Sequence, residues 1–256
     1  MGTQGIKAIA LQILPPITLR LYRFAKNAIR LRKNTGKTEV PEKFVSPALR
    51  SYAQYQEDLI IDAILGSKRK GFYVDVGAND PTVISNTRRF YDRGWRGINI
   101  EPNLGLYNKL KSDRPRDINL NVGIATTAGD LTFYEMSADT LSSFDRDAAI
   151  SSGRIHGAHL ISERKIKVLP LSEVFQKYLP NPRIDFISID VEGFDLDVLR
   201  SNDWAKYRPA LLLVEANIGY AKIIEFTQEI DYVLLFFNGT NGFFIDSKVL
   251  REEPAL

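Results

Sequence analysis

Cysteine is absent from the 256 residues, and histidine, methionine and tryptophan occur only twice each. The missing cysteines exclude a disulfide framework, a cysteine nucleophile and any thiolate metal or iron–sulfur site. The two histidines, His156 and His159, lie within one four-residue stretch, which argues against a multi-histidine zinc site. Long apolar runs are missing as well. The stretch Ala8 to Leu19 has about 12 residues, contains Gln12 and is broken by Pro15-Pro16, whereas a membrane span needs roughly 20. No small-residue cleavage pattern follows it, so a secretory signal is not supported. There is no internal repeat and no low-complexity tract. What remains, 44% hydrophobic and 25% charged, is the usage of a folded chain long enough for one large domain.

Acidic residues are missing from the start of the chain. Residues 1–50 hold ten Lys or Arg against Glu39 and Glu42, a net of +8, and the remaining 206 residues carry a net of −5. From Ile17 to Lys33 the spacing predicts a helix with Ile17, Leu21, Phe24 and Ala28 on one side and Arg20, Arg23, Lys26 and Arg30 on the other. Such a helix either lies on an anionic membrane surface or packs on its own domain with a solvated basic face. We therefore divide the chain into a basic segment, 1–35, a Gly/Pro-containing linker, 36–50, and a domain, 51–256. The cations sit at one end and the body is net acidic, which disfavours nucleic acid as a partner.

From Ser51 onward, helical spacing over Tyr52 to Leu65 gives way to short apolar runs. These are Phe72 to Val76, Gly97 to Ile100, Ile118 to Val122, Leu131 to Tyr134, Ile166 to Leu169, Ile184 to Ile189, Ala210 to Val214, Tyr232 to Phe237 and Phe243 to Ile245. Longer mixed stretches separate most of them, which predicts an α/β fold with a largely parallel sheet and helices on both faces. The last two runs, joined by Asn238-Gly239-Thr240-Asn241-Gly242, read as an antiparallel pair.

Three segments carry chemistry. In GFYVDVGANDP a strand ends in Asp75, with Gly77 where the backbone must approach a ligand, and the full G-x-G-x-x-G fingerprint is missing. That weakens a pyrophosphate cofactor and leaves room for a nucleoside without phosphates. In GINIEPN, Glu101 follows Gly77 by 24 residues, near the spacing at which an acid accepts hydrogen bonds from ribose hydroxyls. In IDFISIDVEGFDLDVLRSNDW an apolar strand delivers Asp190 and Glu192, an acidic pair that costs stability unless a cation or substrate uses it. Asp195 and Asp197 read as first-turn helix acids, and Trp95 and Trp204 as packing residues.

The runs SYAQYQEDLIIDAIL, FYVDVGANDP, FYDRGWRGINIEPN, NVGIA, TLSSF, FISIDVEGFDLDVLRSNDW, PALLLVEAN and VLLFFNGTNGFFI resemble, in order, the FkbM family of S-adenosylmethionine-dependent methyltransferases. The likeness spans about residues 51–246 and departs from it at Asn79-Asp80-Pro81, where many members have Asn-Ile-Gly. It implies a Rossmann-like seven-stranded sheet of order 3-2-1-4-5-7-6 with the seventh strand antiparallel. It further implies that Asp75, Gly77, Ala78 and Asn79 hold the methionine part of S-adenosylmethionine, Glu101 the ribose, and Asn121 to Gly123 the adenine. Ser142 and Ser143 would contact cofactor or acceptor, and Asp190 and Glu192 would stand beside the methyl group.

The expected reaction is O-methylation of a hydroxyl on a sugar, glycan or glycolipid-type acceptor, lipid-linked if the basic segment holds the enzyme on the inner face of a membrane, and otherwise in the cytoplasm. An unperturbed carboxylate is a poor base for a hydroxyl, so Asp190 must act concertedly, have a raised pKa or bind a metal. Asp190, Glu192 and Glu215 are the ligands expected if a divalent cation such as Mg²⁺ is used. His156 and His159, in a polar insert, are an alternative base or solvated loop residues. Two other readings stay open: a nucleotide-sugar glycosyltransferase using Asp190-Val191-Glu192 as a metal triplet, and a cofactor-binding module without catalysis.

Overall fold

The computed structural model describes residues 50–179, 183–216 and 219–252. The helix expected over 17–33 and residues 36–49 of the linker lie outside the described residues. Among the described residues no helix is long and apolar enough to cross a membrane.

The strands of the main sheet are β1 (Phe72–Val76), β2 (Arg96–Ile100), β3 (Ile118–Leu120), β7 (Phe186–Ile189), β8 (Leu211–Glu215), β9 (Tyr232–Phe237) and β10 (Asn241–Asp246). Their order is β3-β2-β1-β7-β8-β10-β9, parallel except for β10, which runs antiparallel to both its neighbours. This is the Rossmann-like arrangement expected from the sequence, 3-2-1-4-5-7-6 when these seven strands alone are numbered. The terminal hairpin is tighter than the sequence suggested. Asn241 and Gly242 belong to β10, and the Asn238 N–H closes the turn on the Asn241 carbonyl at 3.1 Å.

Near-continuous apolar strands follow from burial on both faces. Val74, Val76, Ile98, Ile100, Ile187, Ile189, Leu212 and Val214 fill one core. The alternate residues Tyr73, Phe186, Leu211 and Leu213 fill the other, with Phe90 and Trp95. The second face turns polar at its carboxyl end, where Asn119, Asn99, Asp75 and Ser188 are register neighbours across four strands.

Helix α1 (Glu57–Ile64) starts five residues later than the helical spacing predicts. Asp58 accepts the Ser51 hydroxyl (2.6 Å) and the Tyr52 N–H (2.9 Å), and Glu57 accepts the Tyr55 N–H (2.8 Å), so these carboxylates fold the preceding chain back as a turn. Buried Glu57 also receives Asn238 and Asn241 side chains at 2.7 and 3.0 Å, tying this turn to the terminal hairpin.

The expected runs at 131–134 and 166–169 extend into longer strands and leave the main sheet. Strands β4 (Gly123–Ile124), β5 (Gly129–Met136) and β6 (Leu160–Leu169) form a separate sheet of order β4-β6-β5, with β5 and β6 antiparallel. The strand expected from Ile118 to Val122 ends at Leu120, and the chain passes into β4 of the other sheet at Gly123. The polar insert is helical: α4 (Arg146–His156) is capped by Asp145, whose side chain accepts the Ala148 N–H at 2.9 Å. Helices α2 (Arg88–Asp92), α3 (Leu104–Asp113), α5 (Leu171–Tyr178), α6 (Asp195–Arg200), α7 (Tyr220–Glu229) and α8 (Ser247–Glu252) complete the described chain.

Candidate active site

A cleft opens at the carboxyl ends of β1, β2, β7 and β8 and is bounded on its other side by the small sheet. This is where an open α/β sheet binds ligands. Its wall includes Asp75, Gly77, Ala78, Asn79, Glu101, Ser142, Asp190, Glu192 and Glu215, so most of the residues expected from the sequence converge there.

Gly77 shows why the first segment needs glycine. Its φ is +80°, and a Cβ at that position would lie 1.9 Å from the Asp190 carbonyl oxygen. The ends of β1 and β7 therefore touch backbone to backbone, and the Asp190 N–H donates to the Val76 carbonyl at 3.0 Å. Gly77 and Ala78 N–H groups both donate to the Ile100 carbonyl, at 3.0 and 3.2 Å. Asn79 follows in the left-handed region, and its N–H donates to Glu101 Oε2 at 2.8 Å. The other Glu101 oxygen accepts the Asn103 N–H at 2.7 Å. An ionised carboxylate has about four lone-pair sites. Two backbone donors leave room for two hydroxyl donors, the requirement of a vicinal diol. Burial pushes Glu101 up to about 7 against these hydrogen bonds.

Asn121 has a different place from the one expected. Its side chain donates to the Glu101 and Pro102 carbonyls at 2.9 and 2.8 Å, fastening the loop that carries Glu101, while Val122, Gly123 and Ile124 line the cleft. With both amide hydrogens given to backbone carbonyls, the side chain positions the Glu101 loop. Ser142 lines the cleft, and its hydroxyl accepts the Met136 N–H at 3.0 Å. Ser143 is buried and donates to the Glu192 carbonyl at 2.9 Å.

Asp75 sits in the polar row. The Thr87 hydroxyl lies 2.5 Å from its Oδ2 and also accepts a guanidinium N–H of Arg114 at 2.6 Å. Since Arg114 can only donate, the Thr87 proton must go to Asp75, and the buried cation acts on Asp75 through a hydroxyl. Burial raises the Asp75 carboxyl, and Thr87 and Arg114 pull it back. On the far side of Asp75, Asn86 donates to the Ser188 hydroxyl at 3.1 Å.

Glu192 and Gly193 have successive positive φ values of 54° and 94°. Asp195 holds this turn by accepting the Val191 and Gly193 N–H groups at 3.2 and 3.1 Å. It does begin α6 as expected, but its buried side chain serves the site loop. Burial and the neighbouring Asp190 push it up to about 7. Asp190, Glu192 and Glu215 each place a carboxylate oxygen within 4.8 Å of the others. Burial raises all three, Glu215 most; Asp75 and Glu57 add to it at Asp190, and the Asp190 charge adds to it at Glu192 and Glu215. Glu215 shares a hydrogen bond with Asp190, so Glu215 keeps the proton and Asp190 is the more acidic partner.

Sequence reasoning missed Thr87, Arg114, Ser188 and the aromatic wall of Phe133, Phe144 and Phe194, whose rings lie 5.0 and 6.1 Å apart in succession. Phe144 ends TLSSF, Ser188 and Phe194 lie in FISIDVEGFDLDVLRSNDW and Phe133 in the run Leu131 to Tyr134, but nothing in those runs marked them as site residues. The two histidines are exposed and belong to no part of the cleft wall: His156 ends α4 and His159 follows it.

The described residues lining the cleft include six carboxylates, Asp75, Glu101, Asp139, Asp190, Glu192 and Glu215, and no Lys, Arg or His. Such a wall suits a ligand with positive charge, a vicinal diol and an aromatic base, which S-adenosylmethionine combines; the apolar slot is made by Ile100, Val122, Ile124, Phe133 and Phe144.

The Methyltransferase FkbM domain model matches residues 75–238. Among solved structures, a TehB-like SAM-dependent methyltransferase from Corynebacterium glutamicum is 12% identical, covering 88% of this chain and 97% of that one, at a TM-score of 0.42. The fibrillarin pre-rRNA processing protein of Methanococcus jannaschii is also 12% identical, covering 77% of each chain, at a TM-score of 0.42. No curated protein matched. With the family model spanning well over half of its length, the chain belongs to the FkbM methyltransferase family.

Proposed function

We propose that the enzyme transfers a methyl group from S-adenosylmethionine to a hydroxyl oxygen of a sugar or glycan-type acceptor. The observation that carries this reading is the acid-lined cleft, with Glu101 at one end and the Asp190, Glu192 and Glu215 cluster at the other. When bound, S-adenosylmethionine supplies an electrophilic methyl group on a positively charged sulfur. Glu101 would hold the ribose hydroxyls, Asp75 and the Gly77 to Asn79 backbone the amino-acid portion, and Ile100, Val122 and Phe144 the base. Asp190 accepts the acceptor's proton, aided by a pKa raised by burial and by the field of its neighbours. Polar groups around it, Glu192, Asn86, Gln54 and Thr140, offer the hydrogen bonds that a polyhydroxylated acceptor requires.

A second form of the reaction rests on the 4.8 Å grouping of the three carboxylates, a donor set suited to Mg²⁺, which would acidify a bound hydroxyl. Removal of divalent ions by EDTA distinguishes the two: turnover survives chelation if Asp190 works alone and is lost if the cation is required. A nucleotide-sugar donor is the weaker match, because its diphosphate would meet no cationic side chain in the described cleft wall.

Calorimetric titration with S-adenosylhomocysteine tests the donor assignment. Micromolar binding is expected, and absence of binding, or binding of a nucleotide sugar in its place, would overturn it. Residues 1–35 are assigned to an anionic membrane surface on the strength of their basic, amphipathic sequence. Deleting them is expected to abolish sedimentation with phosphatidylserine vesicles and to leave S-adenosylhomocysteine binding intact; unchanged sedimentation refutes the anchor.

A further inference from the structure

One part of the cleft wall takes no part in this chemistry. Ile84 lines the cleft with a φ of 54°. For a β-branched residue this is a genuine outlier, because Cβ and its branches crowd the adjacent carbonyl oxygen. Glycine or asparagine would occupy the same backbone more easily. The conformation persists because the loop around it is over-determined. Asp80 Oδ1 accepts the Thr82 and Val83 N–H groups at 2.9 and 3.0 Å. Arg114 donates to the Pro81 carbonyl at 2.5 Å and to the Ser85 hydroxyl at 2.7 Å. The Ser85 N–H donates to the Tyr52 carbonyl at 3.0 Å. Strain held this firmly at a ligand cleft points to a function.

Its effect is to display apolar side chains at the rim. Ile84 is 48% exposed, its neighbour Val83 64%, and Tyr55 51%. They lie on two segments joined by the Ser85–Tyr52 bond, and each segment also contributes to the cleft wall, through Ile84 and Gln54. Ile84 is thus both cleft wall and half exposed, and Val83, its chain neighbour, is exposed outside the wall. Large apolar groups in water gain free energy only when another apolar surface covers them. Because Ile84 lines the cleft, the fitting occupant is part of a ligand that already has its polar end inside.

We propose that Tyr55, Val83 and Ile84 form a subsite for an apolar portion of the methyl acceptor, such as an alkyl or lipid group attached to its sugar, with Ile84 as the selecting residue. This inference rests on the reading that the acceptor hydroxyl lies at Asp190. Burying even part of an alkyl chain there favours binding by about tenfold or more.

The test titrates the full chain, saturated with S-adenosylhomocysteine, with octyl β-glucoside below its micellar concentration and with methyl β-glucoside. The octyl compound is expected to bind at least about tenfold more tightly. Ile84→Asn, which keeps a residue tolerant of left-handed backbone, should reduce that preference about fivefold or more. It should leave the affinities for methyl glucoside and S-adenosylhomocysteine unchanged and the Tm unchanged or higher. Val83→Ser, at a position without that strain, should act in the same direction. Equal affinity for the two glucosides, no binding of either, or an undiminished octyl preference in Ile84→Asn overturns the subsite. Failure of the wild-type protein to bind S-adenosylhomocysteine is read in the first titration and removes the donor assignment together with everything built on it.

Discussion

The two ends of the cleft are built on opposite principles. At the Glu101 end, carboxylate oxygens and loop carbonyls are engaged by backbone N–H groups and by Asn121, so the site is rigid before a ligand arrives. At the Asp190 end, three carboxylates crowd within 4.8 Å and the loop between them runs through two positive-φ residues. A satisfied group binds at low reorganisation cost, whereas a crowded one is poised to take up a proton or a cation. The difference assigns binding to the first end and chemistry to the second, and each substitution below tests that division.

The largest effect is expected at the crowded end. Asp190→Asn keeps the shape of the side chain, removes the proton acceptor and is expected to lower kcat by roughly 10²–10⁴-fold. S-adenosylhomocysteine affinity should change little, since Gly77 and Glu101 are untouched. A parallel loss of affinity and turnover would place Asp190 in donor binding and erase the contrast.

Glu101→Gln tests the satisfied end. Replacing one oxygen with an amide sets a donor against the Asn79 or Asn103 N–H and removes acceptors from the diol, so cofactor affinity should fall about 10–100-fold. Diol binding needs the ionised form, so wild-type affinity should rise as pH increases through about 7, where Glu101 titrates. Stability of the ligand-free protein should move the other way. The folded value of about 7 is raised from 4.5, so the stability contributed by this group is complete below about pH 4.5 and is lost as pH rises through about 7. The loss is on the order of 3 kcal/mol. Urea midpoints across pH 4.5–8 in wild type and Glu101→Gln measure this slope, and an identical slope in the variant would remove the assignment to Glu101.

The same contrast decides how much the sequence disclosed. Strand ends are local: Asp75, Gly77, Glu101 and Asp190 lie at or just after the ends of apolar runs, so periodicity places them at one sheet edge, while the strand order came from the family resemblance. What periodicity cannot place are groups that reach the site from elsewhere in the chain. Arg114 ends α3 in an unremarkable Arg-Pro-Arg-Asp context and is buried under the cleft only through tertiary packing. Asn121 gives both amide hydrogens to the Glu101 and Pro102 carbonyls, a pairing that spacing along the chain does not show. Asp195 was legible as a helix-start acid and illegible as the clamp of the Asp190 loop, because both roles demand the same residue at the same position. The histidines stand exposed on and just after α4, outside the cleft wall, a placement that the polar context of the insert did not reveal.

The smallest expected effect belongs to the groups behind the satisfied end. Thr87→Val removes one hydroxyl that both donates to Asp75 and accepts from Arg114, taking from buried Asp75 its side-chain donor and from Arg114 one of its acceptors. The cost to stability is expected at about 1–3 kcal/mol. Without the Thr87 donor, the burial that already raises Asp75 acts with less opposition, so the carboxylate should protonate at higher pH. Cofactor affinity should therefore weaken several-fold, increasingly so as pH is lowered, while a purely structural loss would weaken it equally across the pH range. Thr87→Ser retains the hydroxyl and should restore affinity and its pH profile together. If valine and serine behave alike, Asp75 is oriented by the strand alone, and the contrast between the two ends then rests on Glu101.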